Sequence, residues 1–225
     1  MTIQKNSIPE AYNGPMVSLQ NIHKTFNPHS VNELTIFENF NLDILKDQFI
    51  SVIGSNGSGK TTILNLLCGS LPVDGGKILV KGQNITKMKE FQRARFIGRV
   101  FQDPSKGTCP ELTILENMAM AEAKDKHFGL TFGVNRKRLD FYKSQLELLK
   151  LGLEDKLHIQ VGSLSGGQRQ ALALLIATMT PIDLLVLDEH TAALDPKSAD
   201  NVMRLTDQFV KEKHLTALMV THNLK

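Results

Sequence analysis

The sequence predicts an α/β fold in which helices cover both faces of a parallel sheet. In the second half of the chain, short apolar segments alternate with segments of helical spacing, which is typical of buried parallel strands. Residues 16–50 instead contain short apolar runs separated by Asn, Pro and Asp, a pattern that favours antiparallel strands. The length of 225 residues and the hydrophobic fraction of 41% are sufficient for one domain with a substantial core.

The composition argues against several classes of protein. A charged fraction of 22% is ordinary for a globular protein, and a net charge of +3 is too small to indicate a nucleic-acid partner. The two cysteines are too few for a disulfide scaffold, so we expect a reduced intracellular compartment. Residues 1–15 lack the apolar core of a signal peptide. Residues 171–182, the most apolar long stretch, are fewer than the roughly 20 that span a bilayer.

The elements of the first half follow from local hydrophobic patterns. A helix is expected over residues 61–68, because Ile63, Leu64 and Leu67 fall on one of its faces. Strands are expected, in chain order, at residues 17–19, 34–37, 40–44, 49–53 and 77–81.

The second half begins with a change of pattern near Leu112. Two helices are predicted at 114–126 and 136–151, separated by a glycine-containing break at 129–133, and we interpret this region as a helical insertion. The elements expected after it are a helix from Gly166 to about Met179, a strand at 183–187, a helix at 196–213 and a strand at 216–220.

A glycine-rich segment lies between the strand predicted at 49–53 and the helix that follows it. Its glycines permit a loop whose N–H groups converge on phosphate, and the helix adds the positive end of its dipole. Lys60 is expected to reach the β and γ phosphates, Thr61 to bind Mg²⁺, and Thr62 to hydrogen-bond phosphate. The segment reads Gly54-Ser55-Asn56-Gly57-Ser58-Gly59-Lys60-Thr61 and fits the Walker A pattern. Kinases, GTPases and motor ATPases share this pattern, so it does not identify the reaction.

A second functional segment is the apolar run at 184–187, which ends in the carboxylates Asp188 and Glu189. In this Walker B arrangement the strand end would place Asp188 beside the phosphate loop, where it can hold Mg²⁺, often through water. Glu189 would then orient and polarise the attacking water. A merely solvated acidic pair is the alternative, which the glycine-rich loop disfavours.

A third motif follows the helical insertion and reads Leu164-Ser165-Gly166-Gly167-Gln168. A Ser and two Gly ahead of a helix form a second anion cradle, although Ser165 also suits an ordinary N-cap. The motif resembles the LSGGQ signature of the ATP-binding cassette (ABC) ATPases. This resemblance implies a head-to-tail homodimer bridged by ATP, in which Ser165 and Gly167 contact the γ-phosphate that the other chain holds.

The same resemblance implies roles for four further residues. Gln102 would contact Mg²⁺ or water and sense the junction with the helical insertion, and Asp195 would cross the dimer interface. His222 would donate to the γ-phosphate and position the water together with Glu189. Phe26 would stack on adenine. A surface role for Gln102, a structural role for His222 and a core position for Phe26 are the alternatives.

For the fold, the resemblance implies a P-loop NTPase (RecA-like) core with an antiparallel β-subdomain and an inserted α-helical subdomain. The ABC ATPase domain is then expected over 16–225, after an N-terminal extension at 1–15. Its core and β-subdomain would comprise 16–111 and 180–225, and its helical subdomain, which includes the signature, 112–179.

The chain departs from the family pattern at several positions. His190 stands where the family usually has Pro, which removes a bias on the backbone of Glu189 and adds a titratable group near the site. A tolerated substitution without functional effect is the alternative. Ala171 and Ile176 stand where arginines are common. The family normally continues through further strands and a helix, so the sheet near residue 220 is expected to lack part of its cover.

For function, the resemblance implies the ATP-binding and ATP-hydrolysing subunit of an ABC transporter, which uses ATP and Mg²⁺ at the cytoplasmic face of the cell membrane as a peripheral protein. A cassette separate from its membrane domain favours an importer. Residues 187–197 resemble importer cassettes assigned to tryptophan/tyrosine-type amino-acid uptake. The partners would be transmembrane permease subunits, moved by ATP-driven dimer closure, and an extracytoplasmic substrate-binding protein.

Two alternatives from other classes stay open at this point. One is a soluble ABC ATPase of repair, translation or cluster assembly that is not coupled to a membrane. The other is a nucleotide-gated binding protein with little turnover, which the presence of both Glu189 and His222 disfavours.

Overall fold

The computed structural model describes residues 12–55, 57–124 and 133–221. Its strands are β1 (Val17–Phe26), β2 (Leu34–Ile44), β3 (Phe49–Ile53), β4 (Gly75–Val80), β5 (Gln83–Asn84), β6 (Ile97–Val100), β7 (Leu184–Asp188) and β8 (Thr216–Thr221). Its α-helices are α1 (Lys60–Cys68), α2 (Glu90–Arg93), α3 (Ile114–Glu122), α4 (Leu139–Glu147), α5 (Gly166–Thr178) and α6 (Pro196–Glu212).

A parallel sheet forms the centre of the molecule, in the strand order β3-β8-β7-β6. Each neighbouring pair in it is parallel, so the prediction of a parallel sheet is confirmed. Strand β6 was not among the predicted strands, because Gly98 and Arg99 interrupt its apolar pattern. Gly98 is required here, since a Cβ at this position would lie 2.6 Å from the carbonyl oxygen of Ala177 in α5.

The sheet is covered on both faces, as β7 shows most clearly. Leu184 and Val186 belong to one apolar cluster, which also contains Leu64 of α1. Leu185 and Leu187 belong to a second cluster, formed with α3, α4, α5 and α6. Because side chains alternate between the faces of a strand, a continuous apolar run buries both sides.

A second, antiparallel sheet has the order β2-β1-β4-β5. Antiparallel pairing of β1 with β2 and β4 confirms the prediction for the N-terminal region. The two runs expected at 34–37 and 40–44 are one strand, β2, interrupted at Asn39, whose φ is 52°. Asparagine tolerates this left-handed conformation better than most residues, so β2 continues through an irregularity.

The helical region differs from expectation mainly at helix ends. Helix α3 begins at a capping box, in which Thr113 and Glu116 satisfy each other's backbone N–H groups, and ends at Glu122 rather than near Lys126. Lys126 lies outside the described residues. Helix α4 is shorter than predicted, because a 3₁₀ turn at Arg136–Arg138 precedes it. The proposed division into 16–111, 112–179 and 180–225 stays a prediction.

Across the described part of the chain, we find no helix whose length and apolar character would let it cross a membrane.

Candidate active site

The phosphate loop connects β3 to α1, as the sequence predicts. Gly57 and Gly59 have φ values of 82° and 89°, a region that side chains with a Cβ rarely adopt. At Gly59 a Cβ would also lie 2.7 Å from Cγ2 of Ile36, so both conformation and space require glycine. Asn56, a predicted member of the loop, lies outside the described residues.

Lys60 lies beneath this loop and is only 7% exposed. Its Nζ donates hydrogen bonds to the carbonyl oxygens of Gly54, at 2.7 Å, and Ser55, at 2.8 Å. A buried ammonium group is stabilised by such carbonyl acceptors. The first turn of α1 follows at once, with Thr61 exposed and Thr62 half-buried. Lys60 is also the first residue of α1, so its positive charge and the free N–H groups of the helix belong to the same helix end.

A cavity of about 650 Å³ brings together three residues from different parts of the sequence. Its wall includes Thr61 of α1, Gln102 after β6 and Asp188 at the end of β7. These are the three predicted Mg²⁺ ligands, and hydroxyl, amide and carboxylate oxygens suit this cation. The described residues contain no group of three or more His, Cys, Asp and Glu side chains suited to a metal. A single carboxylate with phosphate oxygens is an ordinary Mg²⁺ environment, so the donor set fits.

Glu189 follows Asp188 at the carboxyl end of β7 and is half-buried. Its φ is 45°, which is unusual for a residue other than glycine. Its N–H donates to the carbonyl oxygen of Val220 in β8, at 3.0 Å, and its carbonyl accepts from the N–H of Ala192, at 2.9 Å. Strained backbone held in this way by its surroundings is common at functional sites.

His190 is buried rather than exposed to the site. It is 2% exposed, and its Nε2 lies 3.0 Å from Oγ1 of Thr206 in α6. The Thr206 hydroxyl donates its proton to the carbonyl oxygen of Val202, so the His190 Nε2–H is the donor to Thr206. Burial lowers the pKa of His190 from 6.5 to about 4. At neutral pH this residue is an uncharged link between the strand end and α6.

This burial makes stability depend on pH. Below pH 6.5 His190 is protonated in the unfolded chain, whereas in the folded protein it stays neutral until the pH reaches about 4. We expect the free energy of unfolding to fall by up to about 3 kcal/mol over that interval through this residue alone. His190→Gln should remove this component, which urea unfolding of both proteins between those pH values would measure. Parallel pH profiles for the two proteins would contradict the assignment.

The signature motif lies at the beginning of α5. The Oγ of Ser165 accepts from the N–H of Gln168, at 3.3 Å, and the Gln168 Oε1 accepts from the N–H of Ser165, at 3.2 Å. Gly167 allows close approach to α6, because a Cβ there would lie 2.6 Å from Oγ of Ser198. Ser165 and Gly166 are exposed, and residues 165–168 are not on the wall of the cavity that contains Asp188. The N-cap role is thus present, and the anion-binding role stays a prediction.

The remaining predicted residues lie at the ends of elements. Asp195 is the N-cap of α6, and hydrogen bonds from Ser198 lower the pKa of this carboxyl group. Phe26 is half-buried at the end of β1, where Nζ of Lys24 lies 5.6 Å from its ring centroid. Gln102 is exposed, and His222 lies outside the described residues.

Two polar residues near the site were not singled out from the sequence. Arg99 in β6 donates from Nη2 to Oδ2 of Asp188, at 3.0 Å. Gln170 in α5 is fully buried and donates from Nε2 to the carbonyl oxygen of Phe101, at 2.9 Å, which ties α5 to the segment before Gln102. For Arg99 the sequence did contain a signal, namely a charged residue within a short apolar run, because buried charges are rare unless they are paired.

Comparison with known proteins establishes the family. A family model described as ABC transporter matches residues 37–192. A tyrosine transport ATP-binding protein of Clostridioides difficile (strain R20291) is 45% identical over 211 residues, covering 93% of this chain and 83% of that protein. The chain belongs to the ABC transporter family. The phosphonates import ATP-binding protein PhnC of Lactococcus lactis subsp. lactis (strain IL1403) is 30% identical over 93% of this chain and 84% of that protein.

Solved structures lead to the same family. A dimeric ATP-binding cassette in a post-hydrolysis state, bound to ADP and Pi, superimposes with a TM-score of 0.77. It is 28% identical, and the match covers 93% of this chain and 89% of that one. The ABC chain therefore has the P-loop NTPase fold and is an ATP-binding, ATP-hydrolysing transporter subunit. The soluble, transport-independent alternative is not favoured.

Proposed function

We propose that this ABC ATPase powers an importer of amino acids of the tyrosine/tryptophan type. The observation that carries the ATPase part is the convergence of Thr61, Gln102 and Asp188 on one cavity. The named activity of the relative that is 45% identical supports the amino-acid cargo. In this proposal the chain acts as a peripheral protein at the cytoplasmic face of the cell membrane.

The proposed chemistry is hydrolysis of ATP by positioned water. Lys60, the loop glycines and Thr62 bind phosphate, and Phe26 stacks on adenine. Thr61, Gln102 and Asp188 would hold Mg²⁺, which when bound neutralises negative charge on the phosphates. Glu189 orients and polarises the attacking water together with His222. Such catalysis depends on positioning and electrostatics, and no covalent intermediate is expected.

ATP is proposed to bridge a head-to-tail homodimer. Exposure of Ser165 and Gly166, away from the cavity wall, supports a role for the signature on the nucleotide of another chain. The solved cassette with the same fold is dimeric. Asp195 would cross the interface, and its exposed position before α6 is compatible with that role.

Dimer closure is proposed to move two transmembrane permease subunits, which receive cargo from an extracytoplasmic binding protein. The permease would dock near Gln102 and the helical region. Phe91, next to Glu90 of the cavity wall, is 65% exposed, and Met120 of α3 is 54% exposed. The bond from Gln170 to Phe101 would connect movement of α5 with the Gln102 segment.

A mixing experiment tests the shared site. Lys60→Ala removes the phosphate-binding ammonium group, whereas Ser165→Asp keeps an N-cap residue but places negative charge where the γ-phosphate would lie. Each variant alone should be inactive, yet a mixture should regain up to about a quarter of wild-type ATP turnover, because mixed dimers contain one intact composite site.

Ser165→Asn is the matched control, since it keeps a capping side chain without the charge. We expect it to retain substantially more ATPase activity than Ser165→Asp at equal thermal stability. Full activity of Ser165→Asp, or a mixture no faster than its separate components, would contradict a nucleotide shared between two chains.

A further inference from the structure

Arg99 is a charged residue in the short strand β6, and its partner is the proposed Mg²⁺ ligand. In the sheet register Arg99 is opposite Val186, so Asp188 lies two residues further along β7 on the same face. The Nη2 of Arg99 donates to Oδ2 of Asp188 at 3.0 Å, and the two side chains are only 11% and 14% exposed. Because water screens such a pair weakly, its charge interaction is stronger than that of a surface ion pair.

The rest of the guanidinium group is incompletely satisfied. Its Nη1 has only a long contact, 3.3 Å, to Oγ of Ser70. Its Nε is buried and has no hydrogen-bond partner within the described part of the chain. Its Cζ lies 4.5 Å from the ring centroid of Phe101, the residue before Gln102. Asp188 is therefore the principal anchor of Arg99, which otherwise stacks on the segment that carries Gln102.

The carboxylate of Asp188 is thus the proposed partner of two cations, Mg²⁺ and the guanidinium group of Arg99. A Mg²⁺ ion on Asp188 and a guanidinium group on the same side chain would repel each other. Without any cation, however, Asp188 would be a largely buried charge with no partner, which is strongly unfavourable. A cation that holds Asp188 while the site is empty, and leaves when the metal arrives, meets both requirements. Glu90 on the wall of the same cavity is a carboxylate that could then accept the guanidinium group.

We propose that Arg99 pairs with Asp188 in the nucleotide-free protein and is displaced when Mg²⁺ binds with the nucleotide. This inference rests on the proposed role of Asp188 as a Mg²⁺ ligand. Displacement releases a side chain that stacks on Phe101, so metal entry also alters the contacts of the segment leading to Gln102. Arg99 thereby weakens metal binding and couples it to a rearrangement of the cavity wall.

The test measures how strongly the metal assists nucleotide binding in the full chain. The dissociation constant of a fluorescent ADP is measured with excess Mg²⁺ and with excess EDTA. The ratio of the value in EDTA to the value in Mg²⁺ reports how much the metal strengthens binding. Because ADP is not hydrolysed, the readout is independent of turnover. Arg99→Met keeps an unbranched side chain on Phe101 but removes the charge, and we expect it to increase the ratio about tenfold.

Arg204→Met is the matched control, because Arg204 is exposed on α6 and the same charge is lost. It should leave the ratio unchanged. Arg99→Gln is a second variant, which should shift the ratio in the same direction even if Arg99→Met is unstable. An unchanged ratio in a folded Arg99 variant would overturn the inference. A lowered ratio would overturn it too, because Arg99 would then orient Asp188 for the metal.

A separate variant distinguishes failure of this inference from failure of the proposed metal site. Asp188→Asn should abolish most of the Mg²⁺ dependence of ADP binding. If Asp188→Asn binds ADP with wild-type metal dependence, Asp188 is not the ligand, and both proposals fall. If Asp188→Asn loses the metal dependence but the Arg99 variants bind ADP as the wild type does, Asp188 is a metal ligand and the proposed displacement of Arg99 is wrong.

Discussion

Lys60→Ala is expected to reduce ATP turnover by about 10³-fold, the upper range for loss of one preorganised charged or hydrogen-bonding group. Lys60 is 7% exposed, and its ammonium group donates hydrogen bonds to two loop carbonyls. In the proposed mechanism it meets the β and γ phosphates, where negative charge is concentrated. Alanine leaves the loop without this charge and without the bonds that join its two ends. Phosphate release by the purified protein would measure the effect.

Two comparisons make this result interpretable. Lys77→Ala removes an exposed lysine of β4 and should leave turnover unchanged. Thermal unfolding of Lys60→Ala shows whether the loop variant stays folded, since loss of a buried ammonium group can also affect stability. A folded Lys60→Ala variant with wild-type turnover would contradict the assignment of residues 54–61 as the phosphate loop. Negligible turnover by the wild-type protein would favour a nucleotide-gated binding protein.

The parallel sheet was predictable because its buried strands are continuous apolar runs. Residues 184–187 bury both faces of β7, and no polar residue interrupts them. Strand β6 is different, because Arg99 lies in its middle and forms its ion pair with Asp188 of β7. That partner is far away in sequence, so local hydrophobic pattern could not show that the charge is accommodated. Prediction failed for β6 where a tertiary ion pair replaced apolar character.

In the candidate site, too, the local sequence pattern predicted some positions and not others. Short-range patterns were enough to place Thr61 at a helix start and Asp188 at a strand end, and parallel topology then brings both to one cavity. The side chain of His190 was expected to be near the site, but it points to Thr206 in α6. Which face a residue presents after a strand ends depends on local backbone geometry, and Glu189 has an unusual φ of 45°. The direction of His190 therefore could not be derived from spacing alone.

The contacts of His190 and Glu189 explain how the backbone at Glu189 is held although His190 replaces the usual proline. A proline after Glu189 would restrict its backbone conformation directly. Here the turn is held instead by the bonds of Glu189 to Val220 and Ala192, and by the buried bond of His190 to Thr206. The strand end, β8 and α6 are thus joined around the proposed catalytic carboxylate. A change at His190 is expected to act on Glu189 through this backbone rather than by direct contact with nucleotide.

Glu189→Gln is expected to reduce turnover by about 10²- to 10⁴-fold, the usual contribution of a general base. Glutamine is nearly isosteric and can still hydrogen-bond water, but it carries no negative charge to polarise it. ATP and Mg²⁺ should still bind, because Lys60 and Asp188 are unchanged. The bridging nucleotide would then persist, and dimers should accumulate with ATP but not with ADP. Light scattering after size-exclusion chromatography would measure the mass of each state.

Glu147→Gln is the matched control, since Glu147 is exposed at the end of α4 and loses the same charge. It should turn over ATP as the wild type does and show no persistent dimer. Retained turnover in Glu189→Gln would assign the base to another residue. Loss of turnover without any dimer in ATP would mean that Glu189 acts in catalysis but that the nucleotide does not join two chains. Because turnover and mass are measured on one sample, the experiment separates the proposed catalytic role of Glu189 from the proposed role of ATP as the bridge.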